Sequence, residues 1–364
     1  MKDLTTKPNF EVLDCLRGIA AVYVVINHCR GHLLIGGSEL AQIIPISKWS
    51  IWTKLYYALL QFTSLGREFV VLFFVLSGFS IAFSLRNQQN AKIFYFKRLV
   101  RLYPPFVLAL IWAALVFSLI SIYEPLFNKD LKSVFYSWKS TGLNLIYISN
   151  GAYIAQFWSL VHEVIFYLLA PLVFLNRKVY YIVSILLYTI GLYISWDNVA
   201  GQTIITSFLL DYNFYFIVGV WLFNNYSMIY KKISANRVKT YFISIFLIVL
   251  MVVIKFYTTD HNKISCLIAV VFSVFLVVNF QKNKITTRLL LYLGTMSYTL
   301  YITHFATIKI YNLILIKMNF AEVGTKIQNP IIWFGGIFLC IIISYLFYVI
   351  AEKPSKKILE KFRN

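Results

Sequence analysis

Ten stretches of about twenty mostly apolar residues follow one another along this chain, and they limit its fold more than any other feature. A run of that length is what one helix needs to cross the hydrocarbon core of a bilayer. Of the 364 residues, 60% are hydrophobic and only 13% are charged, whereas a soluble globular chain is about a quarter charged. A water-facing core cannot bury that much apolar surface. We therefore predict an all-α integral membrane protein.

The predicted spans and the connections between them account for most of the chain. The ten predicted membrane helices are residues 12–33, 65–85, 103–123, 156–175, 179–196, 207–224, 240–257, 264–280, 289–314 and 331–350. Two long connections, 34–64 and 124–155, are rich in Trp and Tyr, which favour the head-group region, so we expect short interfacial helices there. We predict one transmembrane domain over residues 1–364, with no separate soluble domain and no cleaved signal peptide.

The formal net charge of +20 reflects the placement of Lys and Arg in short loops. Basic residues concentrate around residues 86–101, 177–178, 231–239 and 282–288 and in the C-terminal tail, which are alternate connections, whereas 197–206 has neither Lys nor Arg. Since cytoplasmic loops carry the excess of Lys and Arg, both termini are predicted to lie in the cytoplasm. The charge is thus explained by the lipid bilayer, and no nucleic-acid partner is expected.

The first predicted helix carries a cation and an imidazole on one face. Arg17 and His28 in LDCLRGIAAVYVVINHCRG are 11 residues apart, which places them about 20° apart around a helix and about 16 Å apart along it. Polar groups inside a bilayer are costly, so this face could line a path for an anionic molecule. The alternative is an Arg that snorkels to the inner interface and a His at the outer one. Asp14, one turn before Arg17, could pair with it.

Two arginines stand at the predicted start of another helix. In KRLVRLYPPF, Arg98 and Arg101 are one turn apart, and guanidinium groups match phosphate oxygens with a planar fork. They could hold a nucleotide phosphate, or they could belong to an ordinary basic cytoplasmic loop. Pro104 and Pro105 suit the first turn of the helix that follows.

A carboxylate lies within the apolar segment QFWSLVHEVIFYLLAP. Ser159, Glu163 and Tyr167 recur at a spacing of four residues and therefore share a helix face. A buried carboxylate needs a partner, a proton or water. Glu163 is either part of a site or a structural hub that accepts hydrogen bonds between helices.

A later helix, MSYTLYITH, also has a polar face. Ser297, Tyr301 and His304 fall at positions i, i+4 and i+7. Such a row indicates the interior of the bundle or an aqueous cavity, and the alternative is hydrogen bonding between helices.

Taken together, these motifs resemble the acyltransferase-3 family of bacterial membrane proteins. The resemblance covers nearly the whole chain and rests on LDCLRGIAAVYVVINH, on FFVLSGFSI with Ser77 and Gly78, on KRLVRLYPP, on FWSLVHEVIFY and on SYTLYITH, in that order. Two positions depart from the family pattern: Cys15 stands where Gly is frequent, and no Pro follows His304 closely.

The resemblance implies a multi-pass enzyme of the bacterial cytoplasmic membrane. It would transfer an acyl group, most often acetyl, from cytoplasmic acyl-CoA to a hydroxyl of an extracytoplasmic or lipid-linked glycan. Acyl-CoA would bind at Arg17, Arg98 and Arg101. His28 would be the central base or acyl carrier, and Glu163 would assist it. The expected acceptor-binding residues are Trp158, Ser159, Tyr298, Tyr301 and His304.

Two other classes of function fit a bundle with interior Arg, His and Glu. A transporter that exports a small anion or a glycan is the main alternative, and a purely structural membrane subunit is the other. The five His are scattered and no HExxH motif is present, so no metal site is expected. No cofactor is expected beyond acyl-CoA as cosubstrate, and the sequence does not define an oligomeric state.

Overall fold

A computed structural model describes residues 8–87, 90–123, 156–173, 176–193, 204–257, 263–322 and 325–361 of the chain. Within these ranges all regular secondary structure is helical, which confirms the all-α prediction. In chain order the helices are α1 (Phe10–Leu33), α2 (Gly37–Ile43), α3 (Ile51–Gln61), α4 (Gly66–Asn87), α5 (Ala91–Tyr123), α6 (Phe157–Val173), α7 (Arg177–Tyr193), α8 (Ile204–Asn224), α9 (Tyr226–Ser234), α10 (Arg237–Tyr257), α11 (Lys263–Asn283), α12 (Arg288–Thr295), α13 (Ser297–Lys317) and α14 (Pro330–Glu360).

Every stretch predicted to span the membrane contains a helix, and seven helical segments are long and apolar enough to cross one. They are Ile51–Arg86, α5, α8, Val238–Tyr257 in α10, α11, α13 and α14. Helix α1 has 24 residues but also carries Asp14, Arg17, His28 and Arg30, which lower its hydropathy. Helices α6 and α7 have 17 residues each, slightly fewer than a full span needs. About ten crossings and the inward-facing termini stay predictions.

Apolar side chains point outward and several polar ones point inward. Phe242 on α10 is 68% exposed and Phe338 on α14 is 65% exposed, whereas Thr303 and His304 on α13 are completely buried. A water-soluble protein rarely arranges its helices in this way, because exposed aromatic surface is costly in water. The arrangement is that of helices in lipid, where apolar faces meet acyl chains and polar side chains turn to the protein interior.

The connection 34–64 holds two short α-helices and a 3₁₀ turn at Ile46–Lys48, so the helices predicted there are present. The second connection, 124–155, lies outside the described residues. Helix α2 begins with a hydrogen bond from the Gly36 amide to the Glu39 carboxylate, which also pairs with Lys326 at 2.6 Å. Burial raises the pKa of the Glu39 carboxyl, but the hydrogen bonds from Lys326 and Gly36 outweigh it and leave that pKa below its usual range.

Helix α5 begins twelve residues earlier than the sequence pattern predicts, at Ala91 instead of residue 103. Pro104 and Pro105 therefore lie inside a continuous 33-residue helix and not in its first turn. Each proline lacks an N–H group and so leaves a carbonyl one turn earlier without its helical hydrogen bond. Helices in membrane proteins tolerate this because neighbouring side chains supply the missing partners.

The span predicted at 289–314 is two helices, α12 and α13, separated at Met296. Gly294, the second-last residue of α12, packs directly on α1. A Cβ atom at Gly294 would lie 2.3 Å from the carbonyl oxygen of Asp14, and one at Gly18 would lie 2.6 Å from the Gly294 amide nitrogen. Close contact between the two backbones requires glycine at both positions, and Gly294 also weakens the end of its helix.

The chain divides into two compact units, each built from three segments. The first consists of Met1–Ala20, Arg67–Leu99 and Trp158–Thr295, and the second of Ala21–Gly66, Val100–Phe157 and Met296–Asn364.

In the first unit, helices α4 and α8 cross at two glycines. A Cβ at Gly78 would lie 1.9 Å from the carbonyl oxygen of Phe216, and one at Gly219 would lie 2.0 Å from that of Val75. Phe216 stacks on Phe166 from α6 with ring centres 4.3 Å apart. The crossing therefore fixes α4, the helix that carries Ser77 and Ser80.

In the second unit, α13 is held by α14, α5 and the last half of α1. Ser344 of α14 contacts the Thr299 hydroxyl at 3.4 Å, and Trp112 of α5 donates to Thr307 at 3.4 Å. Trp333 of α14 donates to the carbonyl of Ile26 in α1 at 3.1 Å. These contacts place the polar face of α13 beside the half of α1 that carries His28.

Candidate active site

In the first unit, Arg17 is held between α1 and α4. Its guanidinium contacts Asp14 at 3.2 Å, as the spacing predicts, and donates to the Ser80 hydroxyl at 2.7 Å. The Ser80 hydroxyl in turn donates to the carbonyl of Leu76 at 2.9 Å. The guanidinium also lies 3.5 Å from that carbonyl, so Arg17 is a fixed cation with one charged partner and two neutral ones, and only 15% of its side chain is exposed.

Glu163 forms a second polar cluster in this unit. Its Oε1 atom accepts hydrogen bonds from the hydroxyls of Ser77, at 2.8 Å, and of Tyr167, and these two hydroxyls are 3.1 Å apart. The Arg98 guanidinium lies over the Tyr167 ring, 5.3 Å from its centre, and over the Phe94 ring at 5.4 Å. The structure therefore brings Glu163 and Arg98 to one tyrosine, Glu163 at its hydroxyl and Arg98 over its ring.

Trp158 and Ser159 lie one turn before Glu163 on α6. The half-buried indole of Trp158 contacts the ring of Tyr212, with centres 5.1 Å apart, and that of Phe74 at 6.3 Å. The imidazole of His162 bonds the Trp158 carbonyl through Nδ1 and contacts the Ser207 hydroxyl at 3.3 Å. Ser159 is buried. This part of α6 therefore packs aromatic side chains together and carries polar side chains beside them.

In the second unit, histidines from α1 and α13 meet. The rings of His28 and His304 are 5.1 Å apart between centres, and those of His28 and His32 are 6.3 Å apart and nearly parallel. The ring of Tyr301 lies 5.7 Å from that of His304. His28 is half-buried, whereas His304 is fully buried. The imidazole that the sequence predicts to be central is thus the more accessible of the pair.

The remaining predicted residues of the second unit lie on α13 and α5. The Tyr298 hydroxyl donates to the Leu102 carbonyl at 3.1 Å, and the Tyr301 hydroxyl donates to the Gln156 carbonyl at 3.4 Å. Arg101 is half-buried on α5, one turn after Arg98. The structure groups the predicted residues in two sets: Arg17, Arg98, Trp158, Ser159 and Glu163 in the first unit, and His28, Arg101, Tyr298, Tyr301 and His304 in the second.

The part that α4 plays is not evident from the sequence motifs. Ser77 stands there only as a motif residue beside Gly78, yet Ser77 holds Glu163 and Ser80 holds Arg17. The available signal was the spacing: two hydroxyls three residues apart share a helix face in an otherwise apolar segment.

A group of ion pairs in the first unit is likewise not evident from the sequence. Glu68 is buried, pairs with Lys255 at 3.4 Å and accepts a hydrogen bond from Ser265 at 2.6 Å. Asp211 pairs with Lys263 at 2.8 Å. Each of these charges lies near the end of an apolar run. Charges at the ends of membrane spans are common without any partner in the protein, so the sequence pattern alone does not reveal the ion pairs.

Replacing Tyr167 with phenylalanine tests the Glu163 cluster. The substitution removes one of the two hydroxyls that Glu163 accepts from, and a lost hydrogen bond to a charged group costs about 1–3 kcal/mol. We expect the melting temperature in detergent to fall. Tyr103→Phe, on the exposed part of α5, is the matched control and should leave it unchanged. Equal melting temperatures for the two variants would show that the Tyr167 hydroxyl does not hold Glu163.

Both units place ionisable and hydroxyl side chains among apolar helices, which defines the class as a multi-pass membrane protein with interior polar sites. The chain matches the family model of the acyltransferase domain, acyltransferase-3, over residues 10–349. The protein therefore belongs to the acyltransferase-3 family of membrane acyltransferases, as the motifs indicate.

One curated relative is similar to part of the chain. It is an uncharacterized protein of Haemophilus influenzae, 32% identical over 139 residues, and the match covers 33% of this chain and 56% of that protein. The chain thus spans little more than half the length of this relative. No solved structure matches the chain.

Proposed function

We propose that the protein is an O-acyltransferase of the bacterial cytoplasmic membrane, which transfers acetyl from cytoplasmic acetyl-CoA to a hydroxyl of an extracytoplasmic or lipid-linked glycan. The observation that carries the proposal is on α1. Arg17 and His28 lie on one uninterrupted helix, 11 residues apart and on one face, each within a set of polar neighbours. Such an enzyme needs a cation that binds the anionic donor. It also needs a group such as an imidazole that acts as base or acyl carrier.

The donor is a polyanion with a thin, flexible arm, and three arginines suit it. Arg98 and Arg101 lie one turn apart on α5 and would grip phosphate oxygens with their planar guanidinium groups. Arg17, held by Asp14 and Ser80, would bind further along the donor. Because Ser80 is neutral, it orients the guanidinium without cancelling its charge.

His28 would carry the chemistry by one of two routes. As a base, it takes the proton of the acceptor hydroxyl while the hydroxyl oxygen bonds to the acyl carbon and the carbon–sulfur bond breaks. The proton then passes to the CoA sulfur, so the imidazole ends unchanged. As an acyl carrier, its nitrogen first displaces CoA thiol from the thioester, and the acceptor hydroxyl then displaces the imidazole. Both routes need one ring nitrogen of His28 with a free lone pair.

The other predicted residues would bind the acceptor or assist. Trp158 offers an aromatic face of the kind that sugar rings pack against, and Ser159 lies beside it. Tyr301 and His304 lie on the α13 face that meets His28, and Tyr298 precedes them on the same helix, where its hydroxyl donates to the Leu102 carbonyl. Glu163 accepts hydrogen bonds from Ser77 and Tyr167, and Arg98 lies over the Tyr167 ring. Glu163 would therefore affect acyl transfer indirectly, by positioning Tyr167 and Arg98.

The experiment that tests the proposal is release of CoA thiol by the purified protein. Acetyl-CoA is supplied with and without a crude glycan fraction from the surface of the host bacterium, and free thiol is measured over time. We expect thiol release that depends on the glycan. Absence of release with every glycan fraction and acyl chain length, from protein shown to be folded, would contradict the proposal.

Replacing both Arg98 and Arg101 with alanine should weaken donor binding. Losing two charge-assisted hydrogen bonds is expected to raise KM for acetyl-CoA about a hundredfold, because each contributes about 1.5–3 kcal/mol and 1.4 kcal/mol corresponds to a tenfold change. The kcat at saturation should change little. The matched control is Lys92→Ala with Lys178→Ala, which also removes two positive charges, but from exposed positions. An unchanged KM in the arginine variant would exclude the phosphate-binding role.

A further inference from the structure

His304 has an unusual combination of burial and hydrogen bonding. Its Nδ1 lies 3.2 Å from the carbonyl oxygen of Leu300, one turn earlier on α13. A carbonyl can only accept, so Nδ1 must carry the proton of the neutral ring. The Nε2 atom then holds the lone pair. In the described part of the chain, this buried atom has no hydrogen-bond partner. A buried acceptor without a donor is costly and requires an explanation.

The nearest imidazole offers the missing donor. The ring centres of His28 and His304 lie 5.1 Å apart. Two imidazoles joined by an N–H···N hydrogen bond have centres about 5 Å apart, since their nitrogens approach to about 3 Å and each lies about 1 Å from its ring centre. The 5.1 Å separation of the two rings therefore fits such a hydrogen bond. His304 is too deeply buried to meet a substrate, whereas His28 is half-buried.

We propose that His304 is a positioning residue: its Nε2 accepts the N–H of His28 and thereby fixes which nitrogen of His28 keeps a free lone pair. This inference rests on the proposed acyl transfer and deepens it. The chain of bonds runs from the Leu300 carbonyl through His304 to His28. It leaves the other nitrogen of His28 with its lone pair, ready to act as base or as acyl carrier. It also stabilises the positive charge that His28 gains in either route.

Two substitutions separate this role from a structural one. His304→Asn places an amide near Nδ1 and keeps the bond to Leu300, but it removes the acceptor at Nε2. His304→Gln places its amide near Nε2, where the oxygen can accept from His28, but it loses the bond to Leu300. A positioning role predicts that the Gln variant is the more active. A structural role predicts the opposite order, because only the Asn variant keeps the native hydrogen bond.

The readout is the rate of CoA thiol release with acetyl-CoA and the crude glycan fraction. We expect His304→Asn to lower kcat about a hundredfold, with KM for acetyl-CoA within about threefold of wild type, and His304→Gln to recover about tenfold of the loss. His32→Asn makes the same change one turn from His28 on α1 and should stay within about threefold of wild type. Equal activity of both His304 variants, more activity in the Asn variant, or a His32 variant as impaired as His304→Asn would overturn the proposal.

A direct measurement keeps the proposal testable if a variant does not fold or if no acceptor is turned over. Wild-type protein labelled with ¹⁵N-histidine, in detergent, should show a scalar coupling between two imidazole nitrogens across a hydrogen bond, and His28→Ala should abolish it. Absence of the coupling in wild type would overturn the His28–His304 bond. Presence of the coupling without any thiol release would instead leave the bond intact and reject the proposed acyl transfer.

Discussion

Alanine at position 28 is expected to abolish acyl transfer while the protein still folds and inserts into the membrane. In the proposed mechanism, the imidazole of His28 would supply the lone pair that both chemical routes need, and general acid–base catalysis alone contributes about 10²–10⁴-fold to a rate. We therefore expect glycan-dependent thiol release to fall by about 10³-fold or more in His28→Ala. The stability of the variant should change little, since His28 is half-buried and its truncation leaves the His304 bond to Leu300 intact.

His32→Ala is the control for this prediction, because it deletes an imidazole one turn away on the same helix. His32 packs edge-on against Phe305 and stacks towards His28. Loss of the His32 imidazole should change the rate by about threefold at most. In the proposed mechanism, His32 contacts neither acetyl-CoA nor the glycan. Full activity in His28→Ala would remove His28 from the mechanism and leave α1 with only a structural part.

Leucine at position 219 is expected to have the largest effect on the fold. A Cβ at Gly219 would lie 2.0 Å from the carbonyl oxygen of Val75 and 2.8 Å from the amide nitrogen of Phe79. Both atoms belong to the backbone of α4, so they cannot move aside as the end of a side chain could. Helices α4 and α8 must separate, which we expect to lower the free energy of unfolding by about 3 kcal/mol or more.

The measurement is thermal unfolding in detergent, with the fraction of protein that stays monodisperse after heating as the readout. The matched control is Gly31→Leu on α1, where an added Cβ meets nothing within 4 Å. Wild-type melting in the Gly219 variant would show that α4 and α8 do not cross at these glycines. Wild-type melting in the control together with loss in the Gly219 variant would support the crossing.

The positions of the helices could be predicted because they depend on local composition. A run of about twenty apolar residues in lipid has to satisfy its own backbone hydrogen bonds, and a helix does so within the segment. The shared face of Arg17 and His28 follows from their spacing, provided that α1 is uninterrupted, as it is from Phe10 to Leu33.

The missed features depend on which helix packs against which. Ser77 and Glu163 are 86 residues apart, and nothing in either segment states that α4 and α6 are neighbours. In the sequence, Glu68 and Lys255 are both charges that flank apolar runs. Their pairing depends on tertiary packing between helices, which the local pattern does not contain. Pro104 and Pro105 read as a helix start, since proline propensity favours that position and only the surroundings of α5 allow the helix to continue through them.

We propose that this protein joins an acyl group to a sugar, and the most direct test of that activity follows both products in proteoliposomes. Acetyl-CoA labelled in the acetyl group is supplied with the crude glycan fraction. Released CoA thiol and glycan-bound label are then counted in the same sample. We predict equal amounts of the two, both reduced to background by His28→Ala. Transfer of unmodified solute across the bilayer with no thiol released and no label on the glycan would contradict the claim and identify a transporter.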